Sequence, residues 1–200
     1  MTEKYQNRYR IASARASWWN YGWAGAYFIT ICTANREHYF GQIVNDKMIL
    51  SPCGILADVF WHEIINHTNN VELGAFVVMP NHIHGILILT DTIVPNDVVE
   101  TLRSAAQHAT SLQQQQQSQS TKNELMSNIS PKSDTVSAII RSYKSAVTKH
   151  ANRLGIENGW QSRFHDHIIR NDDEYQRIND YIENNPVNWE KDKFFKNEIL

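Results

Sequence analysis

The chain has 200 residues, a length that suits one compact domain with an appended segment and argues against two complete catalytic domains. Hydrophobic residues make up 42% and charged residues 20%, which is enough for a core and excludes a wholly disordered or fibrous protein. No run approaches the roughly 18 to 20 uncharged apolar residues of a membrane helix. Cys32 and Cys53 are too few for a disulfide framework, so we expect a cytoplasmic protein with two buried thiols.

The net charge of −2 taken alone argues against a nucleic-acid partner, because a phosphate-binding surface needs clustered lysine and arginine. The distribution changes that conclusion. The first twenty residues contain four basic residues and one acidic residue, and residues 136–170 contain six basic and two acidic residues. These two basic segments are compatible with a DNA surface and also with ordinary solvated helix faces.

The first half of the chain predicts a small sheet and one helix. Apolar and β-branched runs bounded by turn residues predict strands at 26–33, at 40–50 as a strand or hairpin turning at Asn45 and Asp46, at 71–79 and at 82–90. Ser51 and Pro52 open a helix that we expect to end near His67. Pro80 and Asn81 separate the last two strands, which are therefore expected to be antiparallel neighbours.

The second half begins with a polar insertion and continues with two helices. Residues 110–133 include an unbroken glutamine run and almost no apolar residues, so we expect a mobile segment that cannot repay its ordering entropy. Helical periodicity returns at Val136, and a second helix starts at Asn171 with Glu174 as a capping box. Asn185 and Pro186 stop it. The element order predicts an α+β protein with helices on one side of an antiparallel sheet.

His82 and His84 are the first candidate site residues. Residues two apart on a strand point to the same face, so both imidazoles can reach one metal ion while Ile83 points into the core. The spacing is weak by itself, because nine histidines make it common by chance and His165 and His167 repeat it.

Tyr181 and Asn185 form an independent pair. They lie four residues apart at the last helix, so the phenol and the amide share one face. A tyrosine can act as a covalent nucleophile, and an amide oxygen can complete the coordination of a metal held by two imidazoles. Spacing alone equally fits a core tyrosine and a helix C-cap.

Three separated blocks carry a resemblance to a known family: GAYFITICTANR (25–36), FVVMPNHIHG (76–85) and WQSRFHDHIIRNDDEYQRINDYIENNPV (160–187). Together and in this order they resemble the REP-associated tyrosine transposases, a branch of the HUH single-tyrosine transposases. The resemblance covers roughly residues 23–190. It departs at the insertion, to which no function is transferred. We therefore expect a basic arm at 1–22, an HUH transposase domain at 23–190 interrupted by the insertion at 110–133, and a tail at 191–200.

The resemblance implies specific roles and a fold. His82 and His84 match the metal-binding HUH pair, Tyr181 matches the nucleophile and Asn185 matches the third, polar metal ligand, with Mg²⁺ or Mn²⁺ as the ion. The implied fold is a ferredoxin-like antiparallel sheet with the HUH motif on a central strand and the tyrosine on a C-terminal helix. The implied activity is cleavage and rejoining of single-stranded DNA beside palindromic hairpins through a 5′-phosphotyrosine.

Further residues are candidates for supporting roles. We expect a basic group to contact the DNA backbone: Arg141, Lys144, Lys149, Arg163 and Arg170. His165 and His167 are either auxiliary phosphate or proton-transfer groups or ordinary histidines at a polar strand edge. Tyr175 is the weaker nucleophile candidate because it lies on a different helix face. Trp18, Trp19 and Trp23 can stack on bases but equally suit packing.

Two other functions stay open at this point. One is a non-catalytic nucleic-acid-binding module of the same fold, and the other is a metal-dependent phosphoesterase that uses the histidine pair. The sequence leaves open the DNA target, the choice between Mg²⁺ and Mn²⁺, the base that activates Tyr181, and whether the protein acts as a monomer or a homodimer. No membrane partner is expected.

Overall fold

The computed structural model describes residues 22–90 and 135–195, together with the backbone of a two-stranded ladder between β1 (Lys4–Tyr5) and β2 (Arg8–Tyr9). The predicted insertion at 110–133 and most of the predicted arm at 1–22 lie outside the described residues.

The described residues further contain six strands, four α-helices and two short 3-10 helices at Ala34–Arg36 and Trp189–Lys191. The strands are β3 (Gly25–Cys32), β4 (Gly41–Val44), β5 (Lys47–Leu50), β6 (Val71–Met79), β7 (His82–Leu89) and β8 (His165–Ile169). The helices are α1 (Pro52–His62), α2 (Ile64–His67), α3 (Val136–Arg153) and α4 (Asp172–Glu183).

The main sheet has four antiparallel strands in the order β6-β7-β3-β8. The two most apolar strands, β7 and β3, are central and pair along their whole length, from Gly25 opposite Leu89 to Cys32 opposite His82. The strand order and the crossover helices are those of a ferredoxin-like α+β fold, as predicted, and the two histidines begin a central strand. The strand β8 completes one edge and was absent from the element order predicted from the sequence.

Local sequence signals place the first crossover. Asn45 and Asp46 adopt positive φ angles of 50° and 60°, so β4 and β5 form a hairpin closed by the predicted turn. The side chain of Ser51 accepts a hydrogen bond from the Gly54 amide and Pro52 occupies the first turn, which starts α1 where predicted. A break at Glu63 separates α1 from α2, which ends at His67.

The two faces of the sheet carry different helices. Inward side chains of β3 and β7, such as Ile29, Ile83 and Leu87, form the main core with α1 and α3. The opposite side chains, including Phe28 and Ile86, pack against α4. The expectation that all helices lie on one side is therefore wrong. It failed because hydrophobic periodicity shows that a helix is amphipathic but not which face of a sheet its apolar stripe covers.

The helix α4 is held by hydrogen bonds at its N-terminus and by apolar residues that pack against the sheet. Its N-cap is Asn171, whose side chain accepts from the Glu174 amide at 2.8 Å, while the Glu174 carboxylate accepts from the Arg170 amide at 2.9 Å. Ile178 and Ile182 are buried against the sheet. Among the described helices, none has both the length and the apolar character needed to cross a bilayer.

Candidate active site

The two histidines of β7 lie side by side on the sheet face that α4 covers. His82 and His84 are 0% and 1% exposed, and their ring centroids are 4.5 Å apart. Ile83, between them, belongs to the core on the other face. The strand alternation predicted from the sequence therefore does bring both imidazoles together.

Each imidazole is oriented by a hydrogen bond to its Nδ1 atom. The Nδ1 of His82 lies 2.9 Å from the Asn81 Oδ1, and the Nδ1 of His84 lies 2.9 Å from the Thr30 Oγ1. An amide oxygen only accepts, so the Nδ1 of His82 carries the hydrogen and its Nε2 presents a lone pair. That Nε2 atom has no hydrogen-bond partner among the described residues. Such outer contacts are the usual way in which metal-binding histidines are held.

Burial, together with nearby positive charges, keeps both histidines neutral. Burial lowers the pKa of His82 well below its usual value, and the nearby His84, Arg36 and Lys193 add to the effect. Burial lowers the pKa of His84 to about 3, with smaller contributions from Lys193 and His165. Neutral imidazoles are the form that binds metal ions.

The phenol of Tyr181 reaches this pair from α4. Its oxygen lies 3.2 Å from the Nε2 of His84 and donates a hydrogen bond to the Oδ2 of Asp192 at 3.3 Å. The side chain is 41% exposed, so a large substrate can approach it. Burial of its inner part and the Asp192 carboxylate raise the pKa of Tyr181 to about 12, so the phenol needs a proton acceptor before it can attack.

Asn185 lies next to Tyr181, just beyond the helix, whose C-cap is Asn184. It is 2% exposed, and its Nδ2 atom donates to the Oδ2 of Asp192 at 3.4 Å. Its Oδ1 atom is buried and has no hydrogen-bond partner within the described residues. A buried amide oxygen without a donor is costly in an apolar setting, and a cation would satisfy it.

Asp192 is a site residue that the sequence analysis missed. Ligand atoms of His82, His84 and Asp192 all lie within 4.8 Å of one another, so this group could hold a metal ion. Two neutral imidazoles, an amide oxygen and a carboxylate make a donor set suited to a divalent cation. No local sequence pattern indicates Asp192 as a site residue. It lies after α4 and Pro186, and only the path that the chain takes from there brings it to the histidines.

The chain after α4 folds over the histidines. The ring of Phe194 lies 4.6 Å from that of His82, and its carbonyl accepts a hydrogen bond from the Asn81 Nδ2 at 2.9 Å. The Phe194 amide in turn donates to the Asp192 Oδ1 at 2.7 Å. The predicted tail at 191–200 thus contributes two residues to the site.

The other predicted residues are placed unevenly. His165 pairs with Thr30 in the sheet and shares the face of the histidines, whereas the His167 Nε2 is engaged with Glu174 at 2.8 Å. Tyr175 packs in the cluster under α4 with its hydroxyl against Gly74 on β6. Trp23 is exposed, and Trp18 and Trp19 lie outside the described residues.

The predicted basic group divides between two regions. Arg141 and Lys149 are exposed and line a shallow groove on the outer side of α3, across the sheet from the histidines. The Lys144 Nζ instead donates to the Gln161 carbonyl at 2.6 Å and is partly buried. Arg163 and Arg170 are exposed at the two ends of β8.

Comparison with known proteins agrees with this architecture. A solved structure of a REP-associated tyrosine transposase bound to a REP hairpin superposes with a TM-score of 0.53 and 20% identity, covering 89% of this chain and 74% of that one. An uncharacterized protein from Haemophilus influenzae is 33% identical over 202 residues, covering 98% of this chain and 99% of that protein. No protein-family model matches the chain.

These findings define an α+β protein with the fold of the REP-associated tyrosine transposases, which confirms at the level of the fold the resemblance seen in the sequence. The chain belongs to the same family as the Haemophilus influenzae protein.

Proposed function

We propose that this protein is a metal-dependent transposase that cleaves and rejoins single-stranded DNA beside palindromic hairpins through a 5′-phosphotyrosine on Tyr181. The observation that carries the proposal is the meeting of Tyr181 with His84, at 3.2 Å, beside two buried ligand atoms, the His82 Nε2 and the Asn185 Oδ1, that have no hydrogen-bond partner among the described residues. The solved relative with the same fold is bound to a REP hairpin, which supports hairpin DNA as the partner.

In this proposal His82, His84 and Asn185 hold a divalent ion, Mg²⁺ or Mn²⁺. When bound, the ion supplies charge neutralisation and orientation at the scissile phosphate. The residues of the chain preorganise this centre, since Asn81 and Thr30 fix the two imidazoles by their Nδ1 atoms. The low pKa of His84, about 3, keeps that imidazole available at any pH the cell experiences.

Tyr181 supplies the nucleophile. Its oxygen forms a bond to phosphorus while the bond from phosphorus to the 3′-oxygen breaks. The leaving 3′-oxygen takes up a proton from water, which gives a free 3′-hydroxyl and a 5′-phosphotyrosine. The Oδ2 atom of Asp192 accepts a hydrogen bond from the Tyr181 hydroxyl at 3.3 Å. In this proposal the Asp192 carboxylate receives the phenol proton. A second 3′-hydroxyl then attacks phosphorus and releases Tyr181, so the strands rejoin without ATP.

Exposed basic residues provide a surface that could bind the DNA. Arg141 and Lys149 on the outer side of α3 would contact the DNA backbone, together with Arg163 and Arg170 near β8. His165 and His167 are auxiliary candidates at the same edge of the sheet. The two free, buried cysteines are in keeping with action in the cytoplasm.

The test is a search for a covalent adduct. The protein is incubated with Mg²⁺ or Mn²⁺ and a pool of labelled single-stranded oligonucleotides, each with an imperfect hairpin and randomised flanks. We expect an adduct that survives SDS, disappears with EDTA, and is lost in Tyr181→Phe. Tyr175→Phe is the matched control on the same helix and should keep it.

Other outcomes would select the alternative functions. DNA binding without any adduct would contradict catalysis and favour a non-catalytic binding module of this fold. Turnover of p-nitrophenyl phosphate that persists in Tyr181→Phe and vanishes in His82→Ala would favour a phosphoesterase.

A further inference from the structure

Arg36 is a cation at the rim of the site that has no role in the function proposed above. Its guanidinium carbon lies 4.1 Å from the centre of the Phe194 ring, and that ring lies 4.6 Å from the ring of His82. Arg36 is therefore on the His82 side of the site, whereas Tyr181 contacts His84. Its charge is one of those that lower the pKa of His82, as expected at this proximity.

The backbone that presents Arg36 is strained. Asn35 and Arg36 have φ angles of 54° and 63°, a left-handed conformation that asparagine tolerates and that arginine rarely adopts. The buried Thr33 holds this turn, because its Oγ1 lies 2.8 and 3.0 Å from the Glu37 and Asn81 carbonyl oxygens, which share its one hydrogen. Strain of this kind persists where the surroundings impose it and is concentrated at functional sites.

A second cation lies close to the same aromatic ring. The Lys193 Nζ lies 4.7 Å from the centre of the same Phe194 ring. Two positive charges on one aromatic ring repel each other, and Asp192 is already engaged by Tyr181 and Asn185. Among the described residues, Arg36 forms no ion pair. An anion bound near both Arg36 and Lys193 would relieve this repulsion.

We infer that Arg36 binds a backbone phosphate of the single strand in the active site, on the His82 side, and so positions the strand for attack by Tyr181. The planar guanidinium suits this role, because it can bind two phosphate oxygens at once while its carbon lies over the Phe194 ring. The inference rests on the proposed function, since it requires single-stranded DNA as the substrate.

The test measures equilibrium binding and does not require cleavage. In the Tyr181→Phe protein, the affinity for a fluorescent (dT)20 strand is measured by anisotropy over a range of salt concentrations. Arg36→Asn removes the charge and suits the left-handed backbone, so the protein should fold with an unchanged or higher Tm. We expect weaker binding and a salt slope smaller in magnitude by about 0.7, the contribution of one phosphate on a single strand.

Two further variants make the result specific. Arg177→Asn removes the same charge from an exposed arginine that pairs with Glu174 on α4, and it should leave the slope unchanged. In the Tyr181→Phe background, Arg36→Lys should keep the slope. In the protein that retains Tyr181, the same substitution should lower the rate of adduct formation, because lysine lacks the planar fork.

The outcomes separate this inference from the proposed function. A slope for Arg36→Asn equal to that of its parent, or an equal loss in Arg177→Asn, would overturn the role of Arg36. A reduced slope for Arg36→Asn, combined with no adduct in the protein that retains Tyr181, would overturn the proposed catalysis and leave Arg36 as a phosphate contact.

Discussion

The two faces of the main sheet use the same strands for opposite purposes. On the face covered by α1 and α3, which we call the helical face, Ile83 and Leu87 of β7 are fully buried among apolar neighbours. The other face, which α4 covers in part, is the site face. On the site face of the same strand, His82 and His84 are equally buried but polar, and the His82 Nε2 has no hydrogen-bond partner within the part of the chain that the structure describes. One face provides stability, and the other retains polar groups that cost stability and fit a ligand.

Gly85, directly after the histidine pair, lets the helical face pack closely against β7. A side chain at Gly85 would collide with the ring of Trp61, which stacks on β7 from the helical face. This close contact lets α1 brace the strand directly beside His84. The helical face therefore fixes the backbone from which the histidines project.

The largest expected effect is on the helical face. Leu87→Ala should lower the free energy of unfolding by about 2 to 5 kcal/mol, because it removes buried methyl groups and leaves a cavity. Urea denaturation measures the change. The control is Ile88→Ala, one residue further along and partly buried on the site face, which should cost less. An equal loss in both variants would remove the distinction between the faces.

The pH dependence of stability should come from the site face. The pKa of His84 is about 3 in the folded protein, below its usual value near 6.5. Between these values the unfolded chain takes up a proton that the native state does not, so stability falls as the pH drops from about 6.5 toward 3, by up to about 1.4 kcal/mol per pH unit.

His84→Gln should flatten this dependence. Urea unfolding of the variant and of the parent protein at pH 7, 5 and 4 gives the comparison, and His67→Gln on the exposed end of α2 is the control. Parallel curves for His84→Gln and the parent protein would show that the burial of His84 does not destabilise the protein in acid.

The sequence was sufficient where the signals are local. The turn at Asn45 and Asp46, the caps at Ser51 and Asn171, and the alternation through His82 to His84 depend on residues a few positions apart. The meeting of the histidines with Tyr181 was correct in geometry but required the family resemblance, because no local pattern says where α4 packs.

The rest depends on long-range packing. The strand β8 was missed because it is short and begins with the polar run His165, Asp166 and His167, which does not have an apolar alternation. Asp192 was missed because its position depends on how the chain turns back after Pro186. The face chosen by α4 depends on which apolar surface the other helices leave uncovered.

A smaller effect should follow from loosening one imidazole. Thr30→Val keeps the shape of the side chain and removes the hydroxyl that holds the Nδ1 of His84 at 2.9 Å. We expect the affinity for Mn²⁺, measured by calorimetry, to fall by about 10- to 100-fold. The control is Thr68→Val, because the Thr68 hydroxyl donates to the Ile64 carbonyl in α2, away from the site. Unchanged affinity in Thr30→Val would mean that packing alone orients His84.

The smallest effects should separate two lysines of α3 that the sequence treated alike. Lys149 is exposed in the groove with Arg141, so Lys149→Ala should weaken binding to a DNA hairpin a few-fold and reduce the salt slope by about 0.9 for a duplex stem. Lys144 already binds the Gln161 carbonyl, so Lys144→Ala should instead lower the free energy of unfolding by about 1 to 2 kcal/mol. Anisotropy over a salt series and urea unfolding report the two effects independently.

The contrary outcome is that Lys144→Ala weakens DNA binding as much as Lys149→Ala does, at unchanged stability. Lys144 would then have to release the Gln161 carbonyl in order to reach the DNA. The side of the sheet covered by α3 would in that case bind DNA and lose this hydrogen bond when it does so.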